Sequence, residues 1–414
     1  MMDIKLPKIS AKQQDAEIKS ITKALARIKQ QWPELEFYTP KDDGTLIGLP
    51  HRYIVPASKG KHFAFKEQYY WDSYFTALGY NSEDKQDLVE GMLENLLYLL
   101  KRYGMIPNAS RMYFTSRSQP PILTSYIFNI YDNFNKSKQW LDERIKLAQK
   151  EYNEVWMSKQ HPQWHNIDGL SRYYDINALH DLAEAESGWD MTPRFERKCL
   201  DFLPVDLNAL LYKYETDFAR AAEILSDNQA KTNWQKVAAK RKKHVDKLMW
   251  SNGKKFYFDY DFVKKERAGT WSLAAYYPLW TGMASKQQAA ALVKNLTKFM
   301  QKGGLSTTTR PLIDMSIFGS VKTQWAYPNG WAPLHYIVVE GLERYGYKDE
   351  ATLIAKKWLA TNAFWYAKHG EFLEKYNIVD LNKPPVEGLY PSQTGFGWTN
   401  AIFSLFAKKY YGLD

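Results

Sequence analysis

The pentapeptide ESGWD, residues 186–190, sets two carboxylates four positions apart with a glycine and a tryptophan between them. A carboxyl pressed against an apolar ring resists ionisation, because the charged form loses more solvation than the neutral one. It therefore keeps a proton that it can donate. Asp190 follows Trp189 directly and is the candidate donor, whereas Glu186 is read as a hydrogen-bonding support. Other segments mix carboxylates with rings, amides and guanidinium groups. They are FKEQYYWDSYF (65–75), IPNASRMYFTSRSQPP (106–121), KTQWAYPNGWAP (322–333), EKYN (374–377) and VEGLYPSQTGFGWTN (386–400). Flat rings cover the C–H faces of a sugar, while carboxylates, amides and arginines bridge its adjacent hydroxyls. Splitting a glycosidic bond takes two carboxyl groups, an acid and a base or nucleophile. A separation of about 6.5–9.5 Å leaves room for a water and inverts the configuration; about 5–5.5 Å retains it.

Other chemistries lack their residues. No glycine-rich phosphate loop, GxGxxG or HExxH occurs. His161 and His165 stand four apart without a further ligand cluster, and the lone Cys199 has no histidine partner in view, so neither a metal nor a cofactor is expected. The chain has 414 residues, 45% apolar and 15% aromatic, with fifteen Trp and 29 Tyr, an excess that suits sugar-stacking surfaces as well as cores. The formal charge is +10, but lysine and arginine are spread along the chain, and KRKKH at 240–244 reads as a solvated helix face. No nucleic-acid partner is expected. The N-terminal MMDIKLPKISAKQQDAEIKS has no apolar signal segment, and the longest tight apolar run, LLYLL at 96–100, is far short of a membrane span. A cytoplasmic protein with no membrane partner is the expectation, and a monomer the simplest state.

These residues need a scaffold. Leu88, Met92, Leu96 and Leu99 predict a helix over 84–103 closed by Gly104. A stripe from Leu207 to Leu225 predicts another over 206–225, with Asp206 as its cap after Pro204. Further helical periods cover about 13–30, 122–133, 138–157, 232–249, 287–301, 332–345, 349–361 and 397–410. KKFYFDYDF at 254–262 reads as a hairpin. The stretches 55–70, 104–121, 161–190, 303–330 and 371–397 are aperiodic and carry the chemical segments; long structured loops of this kind are usually functional. No linker divides the chain, so one all-α domain over 1–414 is expected, a ring of helical hairpins with its loops gathered at one end.

The segments YYWDSYF, IPNASRMYFTSRSQPP, ESGWD, QWAYPNGWAP and EGLYPSQTGFGWTN, in that order, resemble the trehalases, inverting glycoside hydrolases that split α,α-trehalose; PVDLNALLY (204–212) and EKYN are also similar. The resemblance runs from about residue 55 to 403. It implies an (α/α)6 barrel, Asp190 as general acid and Glu374 as general base. It also implies a sugar pocket lined by Phe65, Tyr69, Trp71, Asp72, Asn108, Arg117, Trp325, Glu387 and Phe396. Three departures bear on substrate recognition. Ala64 stands where the family has an arginine, Ala326 where it has an aspartate, and no RPES-type segment precedes ESGWD, for which Arg172 is a candidate stand-in. Arg111 is read as the partner of a loop carboxylate. The expected activity is hydrolysis of trehalose. The same barrel acting on another small α-glucoside, such as a glucosylated polyol or glycerate, or binding sugar without turnover, is the alternative.

Overall fold

The computed structural model describes residues 10–57, 65–80, 85–311, 323–388 and 390–414; Ala64 lies outside them. Thirteen α-helices occur among the described residues: α1 (Ala11–Leu35), α2 (Tyr70–Ala77), α3 (Gln86–Tyr103), α4 (Leu123–Asn133), α5 (Lys138–Glu151), α6 (His180–Glu186), α7 (Val205–Ile224), α8 (Asn228–Leu248), α9 (Tyr277–Trp280), α10 (Lys286–Asn295), α11 (Ala332–Arg344), α12 (Lys348–His369) and α13 (Gly397–Tyr411).

Packing sorts them into two layers. α2 touches α4, α4 touches α7, α7 touches α9, α9 touches α11, α11 touches α13, and α13 returns to α2. This closed inner ring of six helices is flanked by α1, α3, α5, α8, α10 and α12, one per hairpin, which makes the fold an (α/α)6 barrel. Burial follows position. Every residue of α2 is buried and fourteen of the twenty in α7 are, whereas the outer α8 buries only Ala238, Arg241 and Val245. An outer helix needs one apolar stripe; an inner helix is covered on most sides.

Local chemistry sets the ends. Gly104 closes α3 in the left-handed region (φ 77°), as expected, because glycine adopts it without a Cβ clash. Asp206 is not the cap of α7. Pro204 occupies that position, and Asp206, in the first turn, pairs with buried Arg194 instead. The strand segment at 254–262 does not fold on itself. Phe256–Tyr257 pairs with Trp250–Ser251, while Tyr260–Asp261 sits between Phe202–Leu203 and Glu266–Arg267. The expected helix over 138–157 is α5 continued by a π-turn from Tyr152 to Trp156.

Within KRKKH, Arg241 does not face solvent. It points from α8 into the interface with α7, its Nε 2.7 Å from Glu215 and its Nη1 3.0 Å from the Asn208 side chain. Removing one member of a buried pair strands the other charge. Arg241→Leu is expected to lower unfolding free energy by about 3–5 kcal/mol in urea titration. Arg241→Leu/Glu215→Leu is expected to recover most of it; a loss in the single variant no larger than that of an exposed lysine would contradict the pairing.

Candidate active site

The first turns of α2 and α13 and the loops between the helices meet around a cavity of about 600 Å³. Ten of the eleven residues expected at a sugar site line it: Phe65, Tyr69, Trp71, Asp72, Asn108, Arg117, Asp190, Trp325, Glu374 and Phe396. Trp71 and Asp72 reach it from α2 rather than from a loop, so part of FKEQYYWDSYF is helical. The exception is Glu387. It is exposed, lies outside the cavity and accepts the Ser392 N–H (3.3 Å) in a turn of its own loop. Tyr390, three residues on, lines the cavity in its place.

The loop bearing Asp190 is pinned on both sides. Trp189 is fully buried, stacked on Trp325 (5.5 Å between centroids), with the Arg194 guanidinium 4.4 Å from its ring centre. Arg194 is in turn gripped by Asp206 (2.7 Å) and Asp259 (2.8 Å). Gln324 Nε2 donates to the Asp190 carbonyl, Trp325 N–H to the Met191 carbonyl (3.0 Å), and Thr192 N–H to Glu184 Oε1 (2.7 Å). Glu186 is buried with its oxygens occupied by the N–H groups of Ser118 (2.8 Å) and Tyr174 (2.7 Å) and by His165 Nε2 (2.9 Å), which gives it a supporting place. Gly188 sits at φ 72°, and a Cβ there would come within 2.7 Å of the Trp71 ring.

Glu374 ends a loop that enters the short strand Lys375–Asn377, which pairs antiparallel with Asn329–Trp331. Its Oε2 accepts from Lys375 Nζ (2.8 Å) and its Oε1 from the Tyr390 hydroxyl (2.7 Å). Lys375 and Tyr390 were not singled out from the sequence. A lysine adjacent to the candidate base was the available signal, since its ammonium group can only donate and a neighbouring carboxylate can only accept.

Electrostatics separate the carboxyls. Burial pushes Asp190 up to about 7; the like charge of Glu374 adds to this, and Arg117 and Lys375 oppose it. No cation lies within ion-pair distance of Asp190 among the described residues, and part of its surface stays open to the cavity. Asp72 is also pushed well above the carboxylate range, by burial first and by Glu374 next. Arg117 is paired with Asp175 (3.4 Å) and Arg111 with Glu67. Asn108 uses its amide to bind the Ser118 carbonyl (3.0 Å). Arg172 is not at the cavity; it bonds the Leu200 carbonyl (3.0 Å) and lies 4.9 Å from the Tyr174 ring centre, so it replaces no missing arginine. No cluster of three metal-ligating side chains occurs among the described residues.

A six-hairpin helical barrel with an acid-lined, ring-walled cavity at one mouth is the class defined so far. The profile of the trehalase family matches residues 3–185 and 177–411, and the chain belongs to that family. It is 32% identical to a cytosolic neutral trehalase of Emericella nidulans over 92% of its length and 31% identical to a periplasmic trehalase of Escherichia coli over 90%. It spans 59% of the fungal protein and 71% of the bacterial one. A neutral trehalase structure from Saccharomyces cerevisiae superposes with TM-score 0.75 at 30% identity, covering 90% of this chain and 76% of that one. The mannosylglycerate hydrolase of Thermus thermophilus shares the fold alone (TM-score 0.65, 18% identity, covering 92% of this chain and 99% of that one).

Two outcomes follow. Gly188→Ala combines a strained backbone with a clash against Trp71, and displacing the Asp190 loop is expected to lower kcat/KM about 10²-fold for the hydrolysis proposed below; unchanged activity would contradict this packing. The Asp190 carboxyl binds its proton more tightly in the folded than in the unfolded chain. Its contribution to stability is therefore complete below about pH 4 and is lost as pH rises through about 7. Asp190→Asn is expected to raise Tm over wild type at pH 8, with the gap closing at pH 4; a gap independent of pH would contradict the burial.

Proposed function

We propose that this protein is a single catalytic barrel that hydrolyses α,α-trehalose to two glucose molecules with inversion at the attacked carbon. The observation that carries the reading is that Asp190, pushed toward neutrality by burial, and Glu374, flanked by two donors, line one cavity. Asp190 donates its proton to the glycosidic oxygen as the C–O bond breaks. Glu374 takes a proton from a water that attacks the anomeric carbon from the opposite face. One glucose leaves as the α-anomer and the other forms as the β-anomer, with the acid and base proton states restored through solvent.

The walls support a neutral substrate. Trp71, Phe65, Tyr69 and Phe396 offer ring faces. The cations at the cavity, Arg111 and Arg117, face Glu67 and Asp175, and Arg117 Nε keeps a buried donor, without a partner among the described residues, that a sugar hydroxyl can accept from. The names of the fungal and bacterial relatives favour a disaccharide over a glucosylated glycerate. The names of the fungal relatives support a cytoplasmic location, and no described helix is long and apolar enough to cross a membrane.

Incubation with trehalose, followed by NMR of the newborn sugars before mutarotation, is expected to show equal α- and β-glucose. Asp190→Asn is expected to lower kcat about 10²–10⁴-fold, the range for loss of a general acid. For the wild type, kcat/KM falls on the alkaline side with a midpoint near 7, as Asp190 gives up its proton. Absence of glucose from trehalose, or two products of one anomeric form, would overturn the reading.

A further inference from the structure

The positive charge of this protein is not evenly distributed. Residues 228–302 carry sixteen Lys and Arg against four Asp and Glu, whereas the rest of the chain carries forty against forty-two. The whole excess therefore belongs to α8, α10 and the strands between them, on the outside of the barrel. Counting lysines alone hides this, because acids are scarce in that stretch.

The same stretch encloses a groove of about 970 Å³ between α8, the turn Ser251–Lys255 and α10. Lys242, Lys254, Lys255 and Lys294 line it, with the amides of Asn252 and Gln287. Lys242 is paired with Asp246 (2.7 Å). Lys254, Lys255 and Lys294 are exposed and have no carboxylate partner among the described residues, and Lys254 Nζ lies 4.9 Å from the Phe258 ring centre. Ammonium groups without a carboxylate, on flexible stems, suit irregularly spaced anionic oxygens rather than a bidentate contact. Among the lining residues the single ring is Trp250, which is buried with its indole N–H directed to Asn252 (3.1 Å), so the groove offers no stacking platform for bases.

We propose that this groove is a docking site for inorganic polyphosphate, a chain of phosphate groups read through its charge alone. The missing stacking platform is what favours it over a nucleic-acid strand, which carries the same phosphates together with bases. The groove is built from outer helices and does not depend on the sugar-site reading.

Binding of the full chain to inorganic polyphosphate, to oligothymidylate and to polyglutamate of matched charge is measured over a salt series. The variants are Lys254→Gln/Lys255→Gln/Lys294→Gln and, as a control on exposed α1, Lys12→Gln/Lys19→Gln/Lys23→Gln. Polyphosphate is expected to bind wild type more tightly than either of the other two polyanions. The groove variant is expected to bind it roughly tenfold more weakly at low salt, with the log–log salt slope reduced by about 2, as for three lost contacts to a single phosphate strand. The control variant is expected to bind as wild type does, and sugar hydrolysis to be unchanged in both. Tighter binding of oligothymidylate than of polyphosphate, equal binding of polyglutamate, equal weakening by the control, or an unaffected groove variant would each overturn the proposal.

Discussion

One short segment, Gln324 to Trp331, ties the two candidate catalytic carboxyls to a common frame. At its start, Gln324 and Trp325 bond the backbone on either side of the Asp190–Met191 peptide. At its end, Asn329–Trp331 forms the strand that pairs with Lys375–Asn377, immediately after Glu374. Between them the Trp325 and Trp331 rings stack at 3.7 Å, nearly parallel, and Lys375 Nζ lies 5.0 Å from the Trp331 ring centre. Asn329 closes the segment by donating to the Gln324 carbonyl (2.9 Å) and exchanging bonds with Val386. Acid-base chemistry across a glycosidic bond depends on the spacing of its two groups. Here that spacing rests mainly on stacked indoles and backbone pairing, which are stiff, with the Gln324 amide as a side-chain tether.

The barrel supplies what this segment cannot, a low-polarity wall. Trp71, Trp189, Trp325, Trp331 and Trp398 pack against one another beneath the cavity. Bulky rings in contact exclude water from the floor, and burial is the largest cause of the upward shifts of Asp190 and Asp72. Glu374 sits in the same surroundings yet is met by Lys375 and Tyr390. The same cavity thus surrounds its carboxyls with different hydrogen-bond donors, which is the basis of the distinct roles proposed for Asp190 and Glu374.

Much of this was legible in the sequence, and the gaps have physical causes. α4, α7, α11 and α13 begin and end within a residue of where the apolar period places them, since each shows a continuous stripe. α2 has no exposed face, because all eight residues are buried, Asp72, Ser73 and Thr76 among them, so its polar positions do not mark a solvent side. α6 and α9 are too short, at seven and four residues, for a period to show. At the site, residue types identified the carboxyls and rings, whereas Tyr390 and Lys375 owe their importance to where their hydrogen bonds end. Glu387 was placed in the pocket by resemblance of its segment, and such a resemblance does not say which way a side chain in a turn points; it lies outside the cavity. The charge asymmetry was present in the sequence but emerges only when acids are counted alongside bases.

The claim on which the account rests is that Asp190 and Glu374 act together in one bond-breaking step. A double-variant cycle tests it most directly, with kcat measured on trehalose for Asp190→Asn, Glu374→Gln and the pair. Residues that act as a unit lose their effect together. The account predicts that the double variant is no slower than the worse single variant by more than a few-fold. A double variant whose loss is the full product of the two single losses would show that the two carboxyls contribute independently, and would contradict it.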